Sequence, residues 1–537
     1  PATMTDTKAA IRFVRYNYDV AGGLLAGRGN PDYMVVTGTS GGGALSSVLA
    51  ASGNSPDYFP SLYEIGAAGV TYEDGAYASD PDVGDELFGT IAYCPITDLP
   101  MADQAYEWTY NATRALLDPE GTAANAELVM NTSALLGQEF AGYINGLGLT
   151  DEEGRPLTAS FTPAGFADGK WTGGSVGGTF ADAMHALLDA GVAKAKAEFD
   201  HGTAGLSGAS KYPMDGYDWL SGDQTAIEDF DAYLLWVANQ RALKIAPAFG
   251  NMGTTNASMM NENNLVGTAE QEYSFWHQWA WDNAAGGTIT DSQSWDDFLQ
   301  TEDGKLVAMQ AKMTTPIPYL LGGANIPYLK YAQAESSDVC DVAPYWYVRH
   351  GMADRDTSFA IGTLLYYSLL SNDAVEDVNF NFAWLKKHSG NYDSLEAFDW
   401  LDGVLTAAGA ETDPPFPSGN TYAFWDLRNK DNITTETLTV KLDGKDLAVT
   451  HYTGYYAEKH NSDQQRINIY VPANATKDTA ILLQVNNSGW RSNSFPTNTI
   501  TDSQELSSDG SSVLGLALER GMVVVSYGAR SRGDTGA

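Results

Sequence analysis

The chain is poor in cysteine, in basic residues and in long apolar runs, and each shortage excludes something. Its two cysteines, Cys94 and Cys340, cannot build a disulfide framework, and one bridge or two separate thiols are both open. Lys and Arg number 30 against 68 Asp and Glu, a formal net charge of −38. Such a field repels phosphate backbones, so nucleic acid is not an expected partner. The acid is spread along the chain instead of gathered in a tail, and reads as a solvated surface. No run of about 18 or more apolar residues occurs, so no membrane span is expected. Histidine is scarce as well, with 7 in all, which narrows any search for a catalytic base. What is present is apolar and aromatic material, 43% and 11%, sufficient for a large core or for two domains.

Along the chain, "TDTKAAIRFVRYN" (5–17) has helical spacing, with Ile11, Val14 and Tyr18 on one stripe. "DYMVVTG" (32–38) reads as a buried strand, "GGALSSVLAA" as the helix behind it, and "GTIAYCPITDL" (89–99) as the next strand and its loop. From 119 to 335 the pattern becomes helical, in segments such as "FADAMHALLDAGVAKAKAEF", without obvious strand alternation. Strand–helix alternation resumes with "YWYVRHGMAD" (345–354) and "VNFNFAWL" (378–385). "AETDPPFPSGN" (410–420) has the Pro, Gly and Asp content of a linker or a terminus. Beyond it come strand-like runs, "TLTVKL", "LAVTHYTGYY", "INIYVP" and "ILLQVNN", then a helix and "MVVVSYGAR".

The turn "GTSGG" (38–42) between strand and helix suits a serine nucleophile, the elbow by which an α/β-hydrolase exposes its Oγ. A phosphate-binding P-loop is excluded, because no Gly-Lys-Ser/Thr follows. In an α/β-hydrolase the order is Ser, acid, His, each just past a strand. Ser40, Asp354 and His388 obey it. The other histidines fit worse: His185, His201 and His277 fall in the helical insertion, His451 and His460 in the late β-rich part, and His350 precedes the acid on its own strand. A serine hydroxyl needs a base to attack near neutral pH, which assigns His388 to proton transfer and Asp354 to orienting the imidazole. An oxyanion hole needs two backbone N–H donors. Gly41 would supply one, and the loop "NNSGWRS", through Gly489 or Trp490, the other.

A doubly wound, mostly parallel sheet normally places half its strands before the nucleophile, and here those strands come last. The expectation is therefore an α/β fold of the α/β-hydrolase type with a large helical lid, its halves permuted or joined from two fragments. Residues 1–118 form the central part with the elbow, 119–335 the lid or substrate domain, and 336–410 the part with Asp and His. Residues 411–424 are a linker or true N-terminus, and 425–537 the early β-rich half of the same domain. Pro1 and Ala537 are expected to be neighbours, with "MVVVSYGAR" beside "DYMVVTG" in one parallel sheet.

Four stretches, "GTSGGGALS", "AYCPITDLPMADQAYEW" (92–108), "NNSGWRS" and "RHGMADRDTS", together resemble the bacterial tannases, a subgroup of α/β-hydrolase esterases. The resemblance covers most of the hydrolase part in two permuted pieces and thins out in the insertion. It implies hydrolysis of galloyl esters of tannins by a Ser-His-Asp triad and an acyl-enzyme, with no cofactor and no metal. It also implies that a lysine, a glutamate and an aspartate read the ring hydroxyls of the acyl group. Lys244 in "LKIAPAFGN", Glu262 in "NENNLVG" and Asp356, two residues past the triad acid, match those positions. The spacings from Lys244 to Glu262 and on to Asp354 are longer than the family pattern, which leaves the acyl ring and the alcohol open. The expected partner is a small aromatic ester. Two alternatives stay open: a feruloyl or chlorogenate-type esterase, and a non-catalytic surface protein binding polyphenol or glycan. The acidity, with the stretch near residue 411 read as a mature N-terminus, favours secretion or the cell surface over the cytoplasm. Oligomeric state is not legible.

Overall fold

A computed structural model describes residues 2–18, 29–201, 214–250, 265–267, 278–282, 294–334, 336–409, 433–457, 464–476, 479–485, 500, 503–506 and 513–527. The strands of the principal sheet are β1 (Asn30–Thr39), β2 (Gly89–Tyr93), β3 (Tyr345–Gly351), β4 (Asp377–Ala383), β5 (Ile433–Leu442), β6 (Lys445–Ala457), β7 (Gln464–Pro472), β8 (Ala480–Val485), β9 (Glu505–Leu506) and β10 (Val523–Tyr527). Their spatial order among the described residues is β4-β3-β2-β1-β8-β10-β7-β6-β5-β9. From β4 to β10 every neighbour is parallel; β10 to β7, β7 to β6 and β6 to β5 are antiparallel. The helices that matter here are α1 (Ala2–Asn17), α2 (Gly41–Ala51), α3 (Leu99–Leu117), α4 (Ala126–Leu147), α5 (Thr179–His201), α6 (Phe230–Gln240), α7 (Phe359–Leu370), α8 (Ser394–Ala407) and α9 (Val513–Glu519). The fold is α/β.

Strands near the middle of the sheet are apolar at successive positions because both faces are covered. The period of two then splits them into two cores. Val36, Leu483 and Val525 lie in register across β1, β8 and β10 and face one core with α2, α3 and α7. Val35, Leu482 and Val524, one residue back in the same register, face the other with α8 and α9. Each strand thus contributes about half its side chains to each core.

The expected adjacency of "MVVVSYGAR" and "DYMVVTG" needs correction. Both lie in one sheet, but β8 runs between them, parallel to each. Pro1 and Ala537 lie outside the described residues. The insertion is also not purely helical. Short strands at Ser160–Thr162, Gly165–Ala167, Lys170–Thr172 and Ser175–Gly177 pair as two small antiparallel ribbons. Three-residue strands among glycines leave too few side chains to show a period of two.

Helix α1 is buried on every side, because Lys8 and Arg12 meet the buried carboxylate of Asp85 at 2.6 Å each. Burying charge is tolerable when it is paired and hydrogen-bonded. Helix α5 lies against the β4 edge so closely that a Cβ at Gly191 would stand 2.2 Å from the Phe382 carbonyl oxygen. Among the described residues no helix is long and apolar enough to cross a membrane.

Candidate active site

Ser40 ends β1 and caps α2 with φ 61 and ψ −121, a conformation rare for any residue with a side chain. Such a turn costs about 1–3 kcal/mol and persists only where its surroundings hold it. Here the Ser40 N–H donates to the Tyr93 carbonyl (2.9 Å), and its own carbonyl accepts from Ala44 (2.9 Å). The arms of the turn touch, so that a Cβ at Gly38 would stand 2.2 Å from the Gly42 carbonyl oxygen. That contact explains why position 38 is glycine. Gly41 opens α2, where first-turn N–H groups have no intrahelical partner.

Asp354 and His388 follow β3 and β4, whose outgoing loops are stitched together. Met352 N–H donates to the Ala383 carbonyl (2.9 Å) and Ala353 N–H to that of Lys386 (2.8 Å). A Cβ at Gly351 would stand 2.2 Å from the Lys386 oxygen, so only glycine lets the loops run this close. The result is a hydrogen-bonded chain. Ser40 Oγ lies 2.7 Å from His388 Nε2, and His388 Nδ1 lies 2.8 Å from Asp354 Oδ2. The other carboxylate oxygen accepts from Asp356 N–H (2.8 Å). All three residues stand past the carboxyl ends of parallel strands, where open α/β sheets place their ligands.

The electrostatics are consistent with that arrangement. Burial alone lowers His388, but the hydrogen bond and charge of Asp354 and the charge of Asp356 outweigh it while Lys244 opposes, leaving its pKa raised. Asp354 is fully buried, which pushes it up, yet the hydrogen bond from His388 and the neighbouring imidazoles hold it below its ordinary value. His350 stands 3.4 Å from Asp354 Oδ2 and is pushed down to about 4 by burial, packed between Phe359 and Phe382. His185 lies half-buried on α5 against Phe230, and His451 in β6, bonded to Glu436 and Asn468.

Cys94 was not singled out for the site. It lies buried beneath it, accepts from Ser389 N–H (3.2 Å), and burial pushes its thiol up to about 12. Neither cysteine is bridged. Among the described residues, Cys94, Asp354 and His388 are the group whose ligand atoms lie close enough to share a metal ion, within 4.8 Å of one another. Two of the three are already engaged with each other or with Ser40, and the third is held as a thiol.

Of the residues the resemblance points to for ring recognition, Asp356 is largely buried beside Asp354. Its carboxylate accepts from Arg241 (2.8 Å) and pairs with Arg355 (3.0 Å). Lys244 lies on irregular chain after α6, its Nζ 3.6 Å from the centre of the Phe249 ring, and its charge acts on His388. Glu262, Gly489 and Trp490 lie outside the described residues, as do His277 and His460.

Helix α3 carries further residues without a role in the sequence reading. Asp103 accepts from the N–H groups of Phe249 (2.5 Å) and Gly250 (2.7 Å). Tyr106 donates to the Arg355 carbonyl (2.9 Å) and accepts from Lys244 N–H (3.1 Å). Arg114, held in a two-point contact by Glu107, donates to the Lys244 carbonyl (2.8 Å). Asp103 and Tyr106 fall within the "AYCPITDLPMADQAYEW" run, but nothing in its spacing indicates partners about 140 to 250 positions away.

No family model and no curated protein matches the chain. Solved structures do. A native tannin acyl hydrolase from Lactobacillus plantarum is 30% identical, with a TM-score of 0.50 over 75% of this chain and 71% of that one. A tannin acyl hydrolase in complex with 3,4-dihydroxybenzoate is 29% identical, with a TM-score of 0.53 over 75% and 71%. The Fusobacterium nucleatum tannase is 27% identical, with a TM-score of 0.50 over 75% and 73%. The chain belongs to the tannase family of carboxylic ester hydrolases.

Proposed function

We propose that the chain is a serine esterase that cleaves galloyl esters through a Ser40–His388–Asp354 triad and an acyl-enzyme. The observation that carries the reading is the chain of contacts at 2.7 and 2.8 Å, at the carboxyl ends of parallel strands, in a member of the tannase family. The run of parallel strands, the strained serine turn and the order of the three residues support an α/β-hydrolase framework. The insertion at 119–335 then serves as a lid.

Ser40 Oγ attacks the ester carbonyl carbon as His388 Nε2 takes its proton. Asp354 Oδ2 holds the Nδ1–H and stabilises the imidazolium. The carbonyl oxygen becomes an oxyanion, which the Gly41 N–H would meet together with a second donor from Gly489 or Trp490. Collapse expels the alcohol, which takes the proton from His388. Water, activated by the same imidazole, then releases the aromatic acid and restores Ser40.

Lys244, Asp356 and Glu262 would address the ring hydroxyls, carboxylates accepting from phenolic O–H groups and the ammonium donating to a phenol oxygen. Relatives solved with 3,4-dihydroxybenzoate and with ethyl gallate make vicinal ring hydroxyls the natural ligand class. A panel of methyl gallate, methyl protocatechuate and methyl ferulate tests this, with preference expected for gallate, then protocatechuate. Efficient turnover of ferulate with none of gallate would transfer the chain to the cinnamoyl esterases. Failure of a fluorophosphonate to label Ser40 would refute the triad.

A further inference from the structure

Of the side chains on α3, Tyr106 makes the most consequential contact. Its hydroxyl joins two pieces of chain far apart in sequence: it donates to the carbonyl of Arg355, next to Asp356, and accepts from the N–H of Lys244. We propose that Tyr106 is a positioning residue for acyl-ring recognition, setting the separation between the Lys244 and Asp356 arms. The proposal rests on the reading of those two residues as ring-binding.

Five further contacts make α3 a rigid base for both arms. The Lys244 peptide is gripped from two sides, its N–H by Tyr106 and its carbonyl by Arg114. Five and six residues on, Asp103 takes the N–H groups of Phe249 and Gly250, and the Phe249 ring lies under the Lys244 ammonium. The Asp356 arm is fixed just beyond, where Ser358 Oγ donates to the Ala105 carbonyl (3.0 Å) and lies 2.7 Å from Thr109 Oγ1. Tyr106 is fully buried and packs on Tyr110, with ring centres 4.8 Å apart, so its hydroxyl has little freedom to follow either arm if the other moves. None of these contacts is a hydrogen bond to Ser40 or His388. The link meets the Ser40–His388–Asp354 chain only through the Arg355–Asp356 peptide, whose N–H donates to the Asp354 oxygen that His388 does not use, and through the charge of Lys244. Loosening the link should therefore be felt in ring selectivity before the bond-breaking step.

The test is Tyr106→Phe, which keeps the ring and removes the link, assayed on methyl gallate and on p-nitrophenyl acetate, which has no ring hydroxyls on its acyl group. The expected result is a KM for methyl gallate raised about tenfold, with kcat lowered less than about threefold, the scale of one lost buried hydrogen bond. The ratio of kcat/KM between the two esters falls accordingly. Arg114→Gln, which releases the Lys244 arm without touching the Asp356 arm and also unpairs the buried Glu107, should move the same ratio in the same direction by less. Equal losses on both esters, or an unchanged ratio in both variants, would overturn the proposal. Thermal unfolding of each variant separates lost folding from altered recognition. If the unmodified enzyme does not itself prefer methyl gallate over methyl benzoate, the ring-binding reading fails instead, a result that is distinct from failure of Tyr106.

Discussion

Ser40, Asp354 and His388 stand on turns that follow β1, β3 and β4, whereas Lys244 stands on irregular chain past α6 and on no strand. The first group inherits its geometry from the sheet. Parallel neighbours fix the spacing of the strand ends, and the stitched 351–354 and 383–388 loops leave the carboxylate and imidazole little room to move. The second group is positioned at one remove, by side chains of α3 reaching out to its backbone. Under the proposed roles, chemistry built on the sheet can stay constant while ring binding varies, since replacing an α3 contact leaves the strands alone. Asp356 belongs to both, sharing a turn with Asp354 and facing the insertion through Arg241.

The sharpest break in this comparison is the nucleophile. Ser40→Ala should lower turnover of every ester by several orders of magnitude, as loss of a triad serine does, while unfolding at nearly the same temperature. Retention of more than a few per cent of activity, on either gallate or simple esters, would remove Ser40 from the mechanism. Gly351→Ala probes the support instead of the chemistry. Its methyl would meet the Lys386 oxygen, the loops would part, and a displacement of about 1 Å at His388 can cost roughly a hundredfold in rate. Both substrates should suffer alike, because the damage is to the shared machinery. A selective loss on gallate esters would mean that the loops serve recognition.

The division also explains which parts were legible in the sequence. A serine turn is local: Gly38 is required by a contact with the backbone four residues on. The order of Ser40, Asp354 and His388 follows the strands, each marked by its own apolar run. The hairpin at Val70–Glu73 and Ala76–Ser79 also carries a local signal, Asp74-Gly75 with positive φ at both positions, although the sequence reading passed over it. The place of β8 between β1 and β10 has no such marker, since three apolar parallel strands can be ordered in more than one way. Cys94 against Ser389, Arg241 against Asp356 and the α3 contacts to Lys244 are pairings at long range, set by packing alone. Lys8 and Arg12 look like the polar side of an amphipathic helix until Asp85 is brought to them.

Asp356→Asn tests the ring-binding side directly. A carboxylate that accepts from a phenol contributes about 1.5–3 kcal/mol when buried, so the ratio of kcat/KM for methyl gallate over p-nitrophenyl acetate should fall by roughly ten- to more than a hundredfold. A site built to pair with hydroxyls discriminates by leaving its own polar groups unpaired when they are missing. Equal losses on the two esters would mean that Asp356 serves the triad through its N–H and its charge, and not the ring.

The smallest effect separates the two sides by sign. His388 acts as a base only when neutral, so the rate is lost as pH falls through its pKa. That pKa is raised from the ordinary value, so the acid limb lies above about 6.5. Asp356 contributes to the rise and Lys244 opposes it. Asp356→Asn removes a contribution that favours the imidazolium, and the acid limb should move to lower pH. Lys244→Met removes one that disfavours it, and the limb should move to higher pH. The measurement is kcat/KM against pH on p-nitrophenyl acetate, chosen so that neither side chain loses a ring hydroxyl at the same time. Salt should shrink both shifts if the charges act across solvent. Opposite displacements would show that both residues reach the imidazole through their charge. Movement in the same direction, or none in either variant, would mean that the shared field is absent and that Lys244 stands too far from His388 to complete the site.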